Sequence, residues 1–394
     1  MIHLFVNALA ASAGGGLTYV RNIIPQLAAR TDVKATVLLD SALRRELRDA
    51  ANITFVEREN LPGALRRAWS EQRLVGSLIR EHGANILLST GNFALWNSPV
   101  PQILLSRNSL YTSADFSSDL RTRGEYRLLL DTRVKGLLAR WSVGIADRVV
   151  APSHVFADDL QRWSGKAVVA IPHGFDREAF IRDKSPLPAE VRKKLQSRGN
   201  ALALLFVSHY NYYRNFETLI RALPLIKEKL GRRGVRLFLT CKLAPHSNPG
   251  SYSPNNASRM VRELDLTDEV VELDSIPYPR LHQLYRATDI YVTPAYAESF
   301  AHPLVEAMSS GLPVVASDLP VHQEVCGDAA VYFQRFSPEQ LAERVCEVAG
   351  SPALAQKLAQ KGLERSLDFS WSTHVERILE LAEGLIGSAD QSGR

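Results

Sequence analysis

The sequence predicts an α/β protein built from two Rossmann-like domains, each with a doubly wound parallel sheet. Three observations predict this fold class. The chain has 394 residues, which is long enough for two domains of ordinary size. Its short apolar runs are continuous rather than alternating, as in strands that are buried on both faces. Helical stretches separate these runs, and the series restarts near the middle of the chain.

The predicted strands form two series with a short break between them. The first series covers residues 2–6, 33–39, 53–56, 85–89, 101–105, 148–151 and 168–171. The second covers residues 202–207, 235–240, 270–273, 290–293, 313–316 and 330–333. Between them, the segment from Pro172 to Asp176 interrupts the apolar pattern, and a polar stretch follows. This break predicts an interdomain linker near residues 172–176.

Composition places the chain among globular proteins, at 45% hydrophobic and 23% charged residues. Its three cysteines are too few for a disulfide framework and lack metal-ligand spacing, so we expect a reducing, cytoplasmic compartment. No uncharged apolar run approaches the roughly 20 residues that span a bilayer. The apolar start of the sequence lacks a basic region, which predicts a buried strand rather than a signal peptide.

The positive charge is concentrated in the first part of the chain. Residues 1–172 carry 21 Lys and Arg against 15 Asp and Glu, and 18 of these basic residues are Arg. This excess favours an anionic partner such as a phospholipid surface or a phosphorylated acceptor, with a plain solvated surface as an equal alternative. We expect no nucleic-acid partner, because no reader motif or stacking-aromatic pattern accompanies the basic residues.

Ligands of doubly wound sheets bind at the carboxyl ends of the strands, so the loops that follow predicted strands carry the candidate site residues. The first such loop contains Gly14, Gly15 and Gly16, which let the backbone approach an anion at a helix N-terminus. A plain tight turn is the alternative. The second contains Arg214, just before a helix, where a guanidinium suits a diphosphate. A surface arginine beside tyrosines is the alternative there.

The third loop gives the most specific signal. It starts at Glu298 and leads into a predicted helix with Pro303 in its first turn and Gly311 just past its end. The backbone N–H groups of residues 299–301 then lie at the helix N-terminus, where they suit a phosphate or sugar oxygen. Glu306 follows within the helix, and its alternative role is to complement the helix dipole.

This third segment, ESFAHPLVEAMSSGLPVVASDLP, resembles the E-x7-E hallmark of the family 4 retaining glycosyltransferases, which have the GT-B fold. Residues 171–180, 214–215, 287–294 and 369–371 resemble further family motifs, whereas the first half matches only weakly. The resemblance implies two Rossmann-like parallel-sheet domains that face a central cleft. Residues 1–172 would form the acceptor-side domain, 173–372 the donor-binding domain, and 373–394 a C-terminal helix that crosses back to the first domain.

The resemblance also implies roles for individual residues. Glu306 would accept hydrogen bonds from the nucleotide ribose, and Glu298 would hold hydroxyls of the donor sugar. Arg214 would bind the diphosphate with backbone amides of the third loop. The donor-binding residues implied by position are Gly15, Gly16, His209, Asn215, Ile276, Ser299, Phe300, Ala301 and Glu306.

Three positions depart from the family pattern. His209 and Tyr210 stand about where the family often has Gly-Arg, and Ala301 replaces a common glycine. Where a first-domain histidine often contacts the sugar, this chain has Arg107 and Asn108. We therefore name Asn108, with Glu298 and Arg214, as a candidate catalytic residue.

The implied function is a retaining glycosyltransferase that moves a sugar from a nucleotide-sugar donor to a glycan or glycolipid acceptor, in bacterial cell-envelope polysaccharide synthesis. We expect no metal and no other cofactor, because no Asp-x-Asp follows a first-half strand and protein cations would neutralise the diphosphate. Two alternatives stay open. One is a catalytically weak nucleotide-sugar-binding subunit of a glycosyltransferase complex, and the other is an epimerase or phosphorylase on the same architecture.

The basic stretch from Arg121 to Trp141 interleaves arginines with Leu, Val and Trp. Such a helix suits an anionic membrane surface, a lipid-linked acceptor and a peripheral position at the inner face of the cell membrane. The alternative is an ordinary helix that packs its Leu and Trp residues into the core and leaves its arginines in solvent.

Overall fold

The computed structural model describes residues 1–11, 14–59 and 64–392. These residues form two compact units. Unit 1 comprises Met1–Thr112, Leu129–Gly174 and the residues from Ser370 onwards, and unit 2 comprises Ser113–Leu128 and Phe175–Phe369. The chain therefore passes from unit 1 to unit 2 at residues 174–175 and returns at residues 369–370.

In chain order, the strands are β1 (Ile2–Asn7), β2 (Val33–Leu39), β3 (Ile53–Glu57), β4 (Ile86–Ser89), β5 (Gln102–Leu105), β6 (Arg148–Ala151), β7 (Val169–Ala170), β8 (Leu202–Phe206), β9 (Val235–Leu239), β10 (Val270–Glu272), β11 (Ile290–Thr293), β12 (Val314–Ser317) and β13 (Ala330–Phe333). Each lies within or next to a strand predicted from a continuous apolar run. These short runs are strands and not helices because they are only two to seven residues long.

The helices are α1 (Gly14–Ala28), α2 (Ser41–Arg44), α3 (Ala64–His82), α4 (Ala114–Thr122), α5 (Tyr126–Ile145), α6 (His154–Ser164), α7 (Arg177–Ile181), α8 (Ala189–Gln196), α9 (Phe216–Leu230), α10 (Asn255–Glu263), α11 (Leu281–Ala287), α12 (His302–Ser309), α13 (Pro320–Cys326), α14 (Pro338–Gly350), α15 (Pro352–Ser366) and α16 (Trp371–Ser392). Single 3₁₀ turns lie at Ser109–Tyr111, Tyr212–Arg214, Gly231–Arg233, Tyr278–Arg280 and Gly327–Ala329.

Each unit contains one parallel sheet. Within the described residues, the unit 1 sheet has seven strands in the order β3-β2-β1-β4-β5-β6-β7, and the unit 2 sheet has six in the order β10-β9-β8-β11-β12-β13. The strand order reverses between β1 and β4 in unit 1 and between β8 and β11 in unit 2. These reversals are the topological switch points where doubly wound sheets bind ligands. The predicted fold class, two Rossmann-like parallel-sheet units, is confirmed.

Helix α16 completes the core of unit 1. Its buried residues Trp371, Val375 and Ile378 pack in the same hydrophobic cluster as Leu4 of β1. The ring nitrogens of His374 lie 2.9 Å from the Pro172 carbonyl oxygen and 3.1 Å from the Tyr19 hydroxyl. Unit 1 thus closes around a helix that follows the whole of unit 2 in the sequence.

The structure corrects one predicted domain boundary. Residues 113–128, which we assigned to the first domain, belong to unit 2. Polar contacts hold them there: Arg123 pairs with Glu217 at 2.9 Å, and the Tyr296 hydroxyl donates to Asp119 at 2.6 Å. The predicted boundaries at 172 and 372 lie within a few residues of the crossings at 174–175 and 369–370. Residues 393 and 394 of the predicted C-terminal helix lie outside the described residues.

Candidate functional site

The loops that follow β8 and β11 meet at the switch point of unit 2. The side-chain amide of Asn215 donates to the Pro294 carbonyl at 3.1 Å, and the Tyr296 N–H donates to the Tyr213 carbonyl at 3.0 Å. These bonds fix the β8 loop against the β11 loop. The two loops carry Arg214 and Glu298, the residues singled out from the sequence as separate signals.

Arg214 and Glu298 form an ion pair at this place. Both side chains are mostly buried, with exposed fractions of 19% for Arg214 and 10% for Glu298. An ion pair in a desolvated position is much less screened than one on the surface. The structure therefore brings together a guanidinium and a carboxylate at the carboxyl edge of the sheet.

Local backbone structure explains how Arg214 is presented. It ends a 3₁₀ turn whose N-cap residue, Asn211, accepts the Arg214 N–H at 3.1 Å. Asn215 follows in the left-handed conformation, with a φ of 57°, and this residue type tolerates that region better than most. Its side-chain oxygen accepts the Thr218 hydroxyl at 2.8 Å. Asn215 therefore turns the chain sharply into α9, and its side chain is occupied in fixing that turn.

The third predicted loop leads into α12 through Ala301. Ala301 is the N-cap residue of this helix and has a φ of 67° and a ψ of 63°, in the left-handed region that favours glycine. Phe300 is buried and packs against Phe369, with 5.4 Å between the ring centroids, whereas Ser299 is half-buried. The loop thus takes the conformation of a glycine turn although its sequence lacks the glycine.

Glu306 lies deeper than Arg214 and Glu298. It is a buried residue of α12, and its carboxylate accepts the Tyr285 hydroxyl at 2.8 Å. Burial raises the pKa of Glu306 to about 7, and the hydrogen bond from Tyr285 offsets part of this increase. A carboxyl group with this pKa changes its charge near neutral pH, which an exposed first-turn glutamate would not do.

The next unit 2 candidates are His209 and Ile276. Desolvation and, to a smaller extent, the charge of Arg214 lower the pKa of His209, so the two side chains share one electrostatic environment. Ile276 is buried in the segment after β10. Another cation of unit 2, Lys242, follows β9. It pairs with Asp274 at 2.6 Å, and both of these side chains are about half exposed.

Unit 1 has its own cluster at its switch point. The Arg107 guanidinium donates to the carbonyl oxygens of Gly15 at 2.8 Å and of Thr90 at 2.6 Å. Burial lowers the pKa of Arg107 to about 10. A Cβ atom on Gly16 would lie 3.2 Å from this guanidinium, whereas one on Gly15 would meet nothing within 4 Å. Arg107 thus fixes the glycine loop that follows β1.

Asn108 is engaged in local structure. Its side-chain oxygen accepts the Leu110 N–H at 3.1 Å and caps the 3₁₀ turn Ser109–Tyr111, while its own N–H donates to Asn92. The neighbouring Arg107 has the contacts that tie three loops together. Gly15, Gly16 and Asn108 belong to the other unit from Arg214 and Glu298, so their roles toward a donor stay predictions.

The structure also contains a polar cavity that we did not predict. It has a volume of about 590 Å³ within unit 2, and its lining includes Arg123, Glu217 and Tyr212. Burial would raise the pKa of Glu217, but the hydrogen bond and charge of Arg123 outweigh it and hold this pKa below its usual value. The sequence held no signal for this cavity, because Arg123 is 94 residues from Glu217.

Two parallel sheets with charged side chains at their switch points define a doubly wound α/β protein, a class whose ligands bind at the carboxyl ends of the strands. Comparison with family models is more specific. Residues 13–179 match the model described as Glycosyltransferase Family 4, and residues 189–365 match Glycosyl transferases group 1. The chain belongs to these glycosyltransferases, as the sequence motifs predicted.

Curated relatives carry the same kind of name. The D-inositol 3-phosphate glycosyltransferase of Thermobispora bispora is 26% identical over 245 residues, which are 61% of this chain and 56% of that protein. The D-inositol 3-phosphate glycosyltransferase 1 of Catenulispora acidiphila is 27% identical over 252 residues, which are 62% of this chain and 59% of that protein. The matches therefore span little more than half of these relatives.

Solved structures match over nearly the whole chain. Sucrose-phosphate synthase from Thermosynechococcus elongatus has a TM-score of 0.78 at 19% identity, covering 98% of this chain and 100% of that one. HepE from Anabaena, solved in complex with UDP-glucose, has a TM-score of 0.72 at 19% identity with the same coverage. At this identity the likeness establishes the shared GT-B fold.

Two further properties bear on the expected partners. In the part of the chain that the structure describes, no helix is both long and apolar enough to cross a bilayer. No group of three or more His, Cys, Asp or Glu residues suited to a metal ion occurs among the same residues. The expectation that the reaction needs no metal stays a prediction.

Proposed function

We propose that the protein is a retaining, metal-independent glycosyltransferase that moves a sugar from a nucleotide-sugar donor to a glycan or lipid-linked acceptor. The observation that carries this proposal is the Arg214–Glu298 ion pair at the switch point of unit 2. It supplies a cation for a diphosphate and a carboxylate for sugar hydroxyls at one place. A cytoplasmic location and a role in bacterial cell-envelope polysaccharide synthesis belong to the same proposal.

The donor class is supported from two directions. The chain belongs to glycosyltransferase families, and a structure of the same fold, HepE, was solved with UDP-glucose. Within this chain, Arg214 has five N–H donors, so it can keep Glu298 as a partner while it donates to diphosphate oxygens. The buried Glu306 is the proposed acceptor for the ribose hydroxyls.

In the proposed reaction the bond between the anomeric carbon and the diphosphate oxygen breaks, and the acceptor oxygen bonds to the anomeric carbon on the same face. The acceptor proton passes to the departing diphosphate, so that charges and atoms balance. Arg214 and the backbone N–H groups before α12 stabilise the negative charge that develops on the leaving group. Glu298 orients the donor sugar and is not a nucleophile in this scheme.

The first experiment is a thermal-shift panel of UDP, GDP and dTDP, followed by transfer assays with the matching nucleotide sugars. Arg214→Ala should reduce turnover at saturating donor by about 10²–10³-fold, the usual effect of removing one oxyanion-stabilising group. Lys242→Ala is the matched control, because this cation also follows a strand of unit 2 but pairs with the surface residue Asp274. Unchanged turnover in Arg214→Ala would contradict the proposal.

The second experiment separates catalysis from binding. Glu298→Gln should depress transfer strongly and leave nucleoside diphosphate affinity close to that of the wild type. The anomeric configuration of the product, followed by proton NMR, tests retention, and activity in the presence of EDTA tests metal independence. An inverted product would overturn the retaining assignment.

One observation favours a second candidate, a nucleotide-sugar-binding subunit with weak activity. His209 and Tyr210 stand where a second diphosphate cation is common, and Tyr210 is buried with its hydroxyl bound to Glu217 at 2.9 Å. Arg214 would then bind the diphosphate without a second cation beside it. Tight binding of a nucleoside diphosphate without transfer to any acceptor or to water would support this candidate over the enzyme.

A further inference from the structure

Unit 1 exposes an unusual set of large apolar side chains. Three of them are the tryptophans Trp69, Trp96 and Trp141, which are 53%, 41% and 46% exposed. Three more lie along α5, namely Leu130, Val134 and Leu137, at 65%, 41% and 68%. We call these six residues the tryptophan patch. Contiguous apolar surface of this kind marks an interaction site rather than ordinary solvent-exposed surface.

The three tryptophans are in contact with each other. The ring centroids of Trp69 and Trp96 are 5.9 Å apart, and those of Trp96 and Trp141 are 4.8 Å apart. They connect α3, the loop after β4, and α5 into one surface. The exposed positions of α5 recur every three or four residues, so the apolar residues form a stripe along one side of the helix.

The patch is held in place by the fold. The backbone N–H of Trp96 donates to the side-chain oxygen of Gln72 at 2.7 Å, and the side-chain amide of Gln72 donates to the Ala94 carbonyl at 2.9 Å. Trp96 is therefore fixed to α3 although its ring faces solvent. An exposed ring on a fixed backbone loses little conformational freedom when it binds a surface.

Positive charge predominates beside these apolar residues on α5. From Leu129 onwards, the exposed residues of α5 include Arg133 and Arg140 and no carboxylate. Asp131 is half-buried and pairs with Lys135 at 2.6 Å. On α3, the exposed Arg73 lies over the Trp69 ring, 5.1 Å from its centroid, and Arg66 is exposed one turn earlier.

We infer that the tryptophan patch is a docking surface for an anionic phospholipid bilayer. Tryptophan rings suit the headgroup boundary, the Leu and Val side chains enter the acyl boundary, and the arginines pair with lipid phosphates while their stems stay in apolar surroundings. The charge complementarity selects the bilayer as the occupant.

The patch is connected to the candidate site residues of unit 1. The loop after β4 carries Trp96, and the same loop carries Asn92, whose side-chain oxygen accepts the Arg107 N–H at 2.7 Å. Arg107 in turn holds the glycine loop. Docking through Trp96 would thus bring a membrane surface to the loop that also carries Asn92.

The test is vesicle co-sedimentation of the full chain. The vesicles are phosphatidylcholine alone or an equimolar mixture with phosphatidylglycerol, at low salt and at about 0.5 M salt, where charge attraction is largely screened. We expect binding to the anionic vesicles that weakens at high salt, with a blue shift of tryptophan fluorescence. The double variant Leu130→Glu/Leu137→Glu should lower the partition coefficient by about tenfold or more.

Leu367→Glu is the matched control, because Leu367 is 72% exposed but belongs to unit 2. It should bind vesicles like the wild type. Absence of wild-type binding to anionic vesicles, or unchanged binding by the double variant, overturns the inference. A concentration-dependent dimer in gel filtration that the double variant abolishes would also overturn it, because the patch would then join two copies of the chain.

This inference is independent of sugar transfer. The double variant should keep the wild-type thermal shift with the nucleoside diphosphate that binds, since the patch lies in unit 1 and the ion pair lies in unit 2. Vesicle binding without transfer would refute only the proposed function, and transfer without vesicle binding would refute only the docking surface.

Discussion

Glu306→Gln gives a quantitative test of the buried carboxyl group in unit 2. The pKa of Glu306 is raised from 4.5 to about 7, chiefly because burial disfavours its charged form. Between these two values the native state holds a proton that the unfolded chain has released. The contribution of Glu306 to the free energy of unfolding should therefore fall as the pH rises from 4.5 to 7. Glutamine is neutral at every pH and should lack this dependence.

The magnitude follows from the shift. Between pH 5 and pH 8 the penalty grows by about 2.5 kcal/mol, taking about 1.4 kcal/mol per unit of pKa difference. The stability of Glu306→Gln relative to the wild type should rise by that amount over the same range. The change with pH is the robust quantity, because a buried glutamine amide adds a constant cost of its own.

Urea unfolding of both proteins at pH 5 and pH 8, without nucleotide, measures this difference. Glu190→Gln is the control, since Glu190 is an exposed residue of α8 and the same substitution there removes no buried carboxyl group. A Glu306→Gln difference that stays equal at both pH values would show that Glu306 is not a buried carboxyl group with a raised pKa.

Three shorter predictions concern the backbone. Gly174→Ala should destabilise the protein by about 2–4 kcal/mol in a thermal melt, because the new Cβ atom would lie 2.0 Å from the Trp371 backbone nitrogen. Gly387→Ala is the control, since this glycine of α16 has open space around it, and the substitution should be neutral or stabilising. Ala301→Gly should stabilise the fold by about 0.5–1 kcal/mol by relieving its left-handed conformation, and a lower melting temperature would contradict this strain. Arg107→Ala should speed hydrogen exchange at the start of α1, because it removes both bonds to neighbouring carbonyls, and unchanged protection there would show that the arginine does not fix the loop.

The sheets could be predicted because their signal is local. A run such as residues 202–207 is apolar throughout, and only a strand buried on both faces needs that pattern. Arg214 and Glu298 were predicted for a related reason, since each lies in the loop after such a strand. The resemblance implied that both contact one donor, but their direct ion pair was not predictable, because it depends on the neighbouring positions of β8 and β11 in the sheet.

Other features depend on which surfaces the chain buries. An apolar residue such as Leu137 or Trp141 can face either a core or solvent, so the sequence left two interpretations of α5 open. Only the fold shows that both residues are exposed. Residues 113–128 carry no composition change that marks their place in unit 2, since long-range bonds such as that between Tyr212 and Glu125 determine it. Asn108 was named because it lies where the family often has a histidine, and its additional role as the cap of Ser109–Tyr111 is visible only in the structure.

The position of α16 in unit 1 has a consequence for synthesis on the ribosome. All residues of unit 2 emerge before Trp371, whereas the hydrophobic cluster around Leu4 needs Trp371, Val375 and Ile378 for its completion. The half of the protein that is translated first is therefore the last to acquire its full set of native contacts. A released chain truncated before residue 371 should contain a protease-resistant second unit attached to a first unit that proteases still cut.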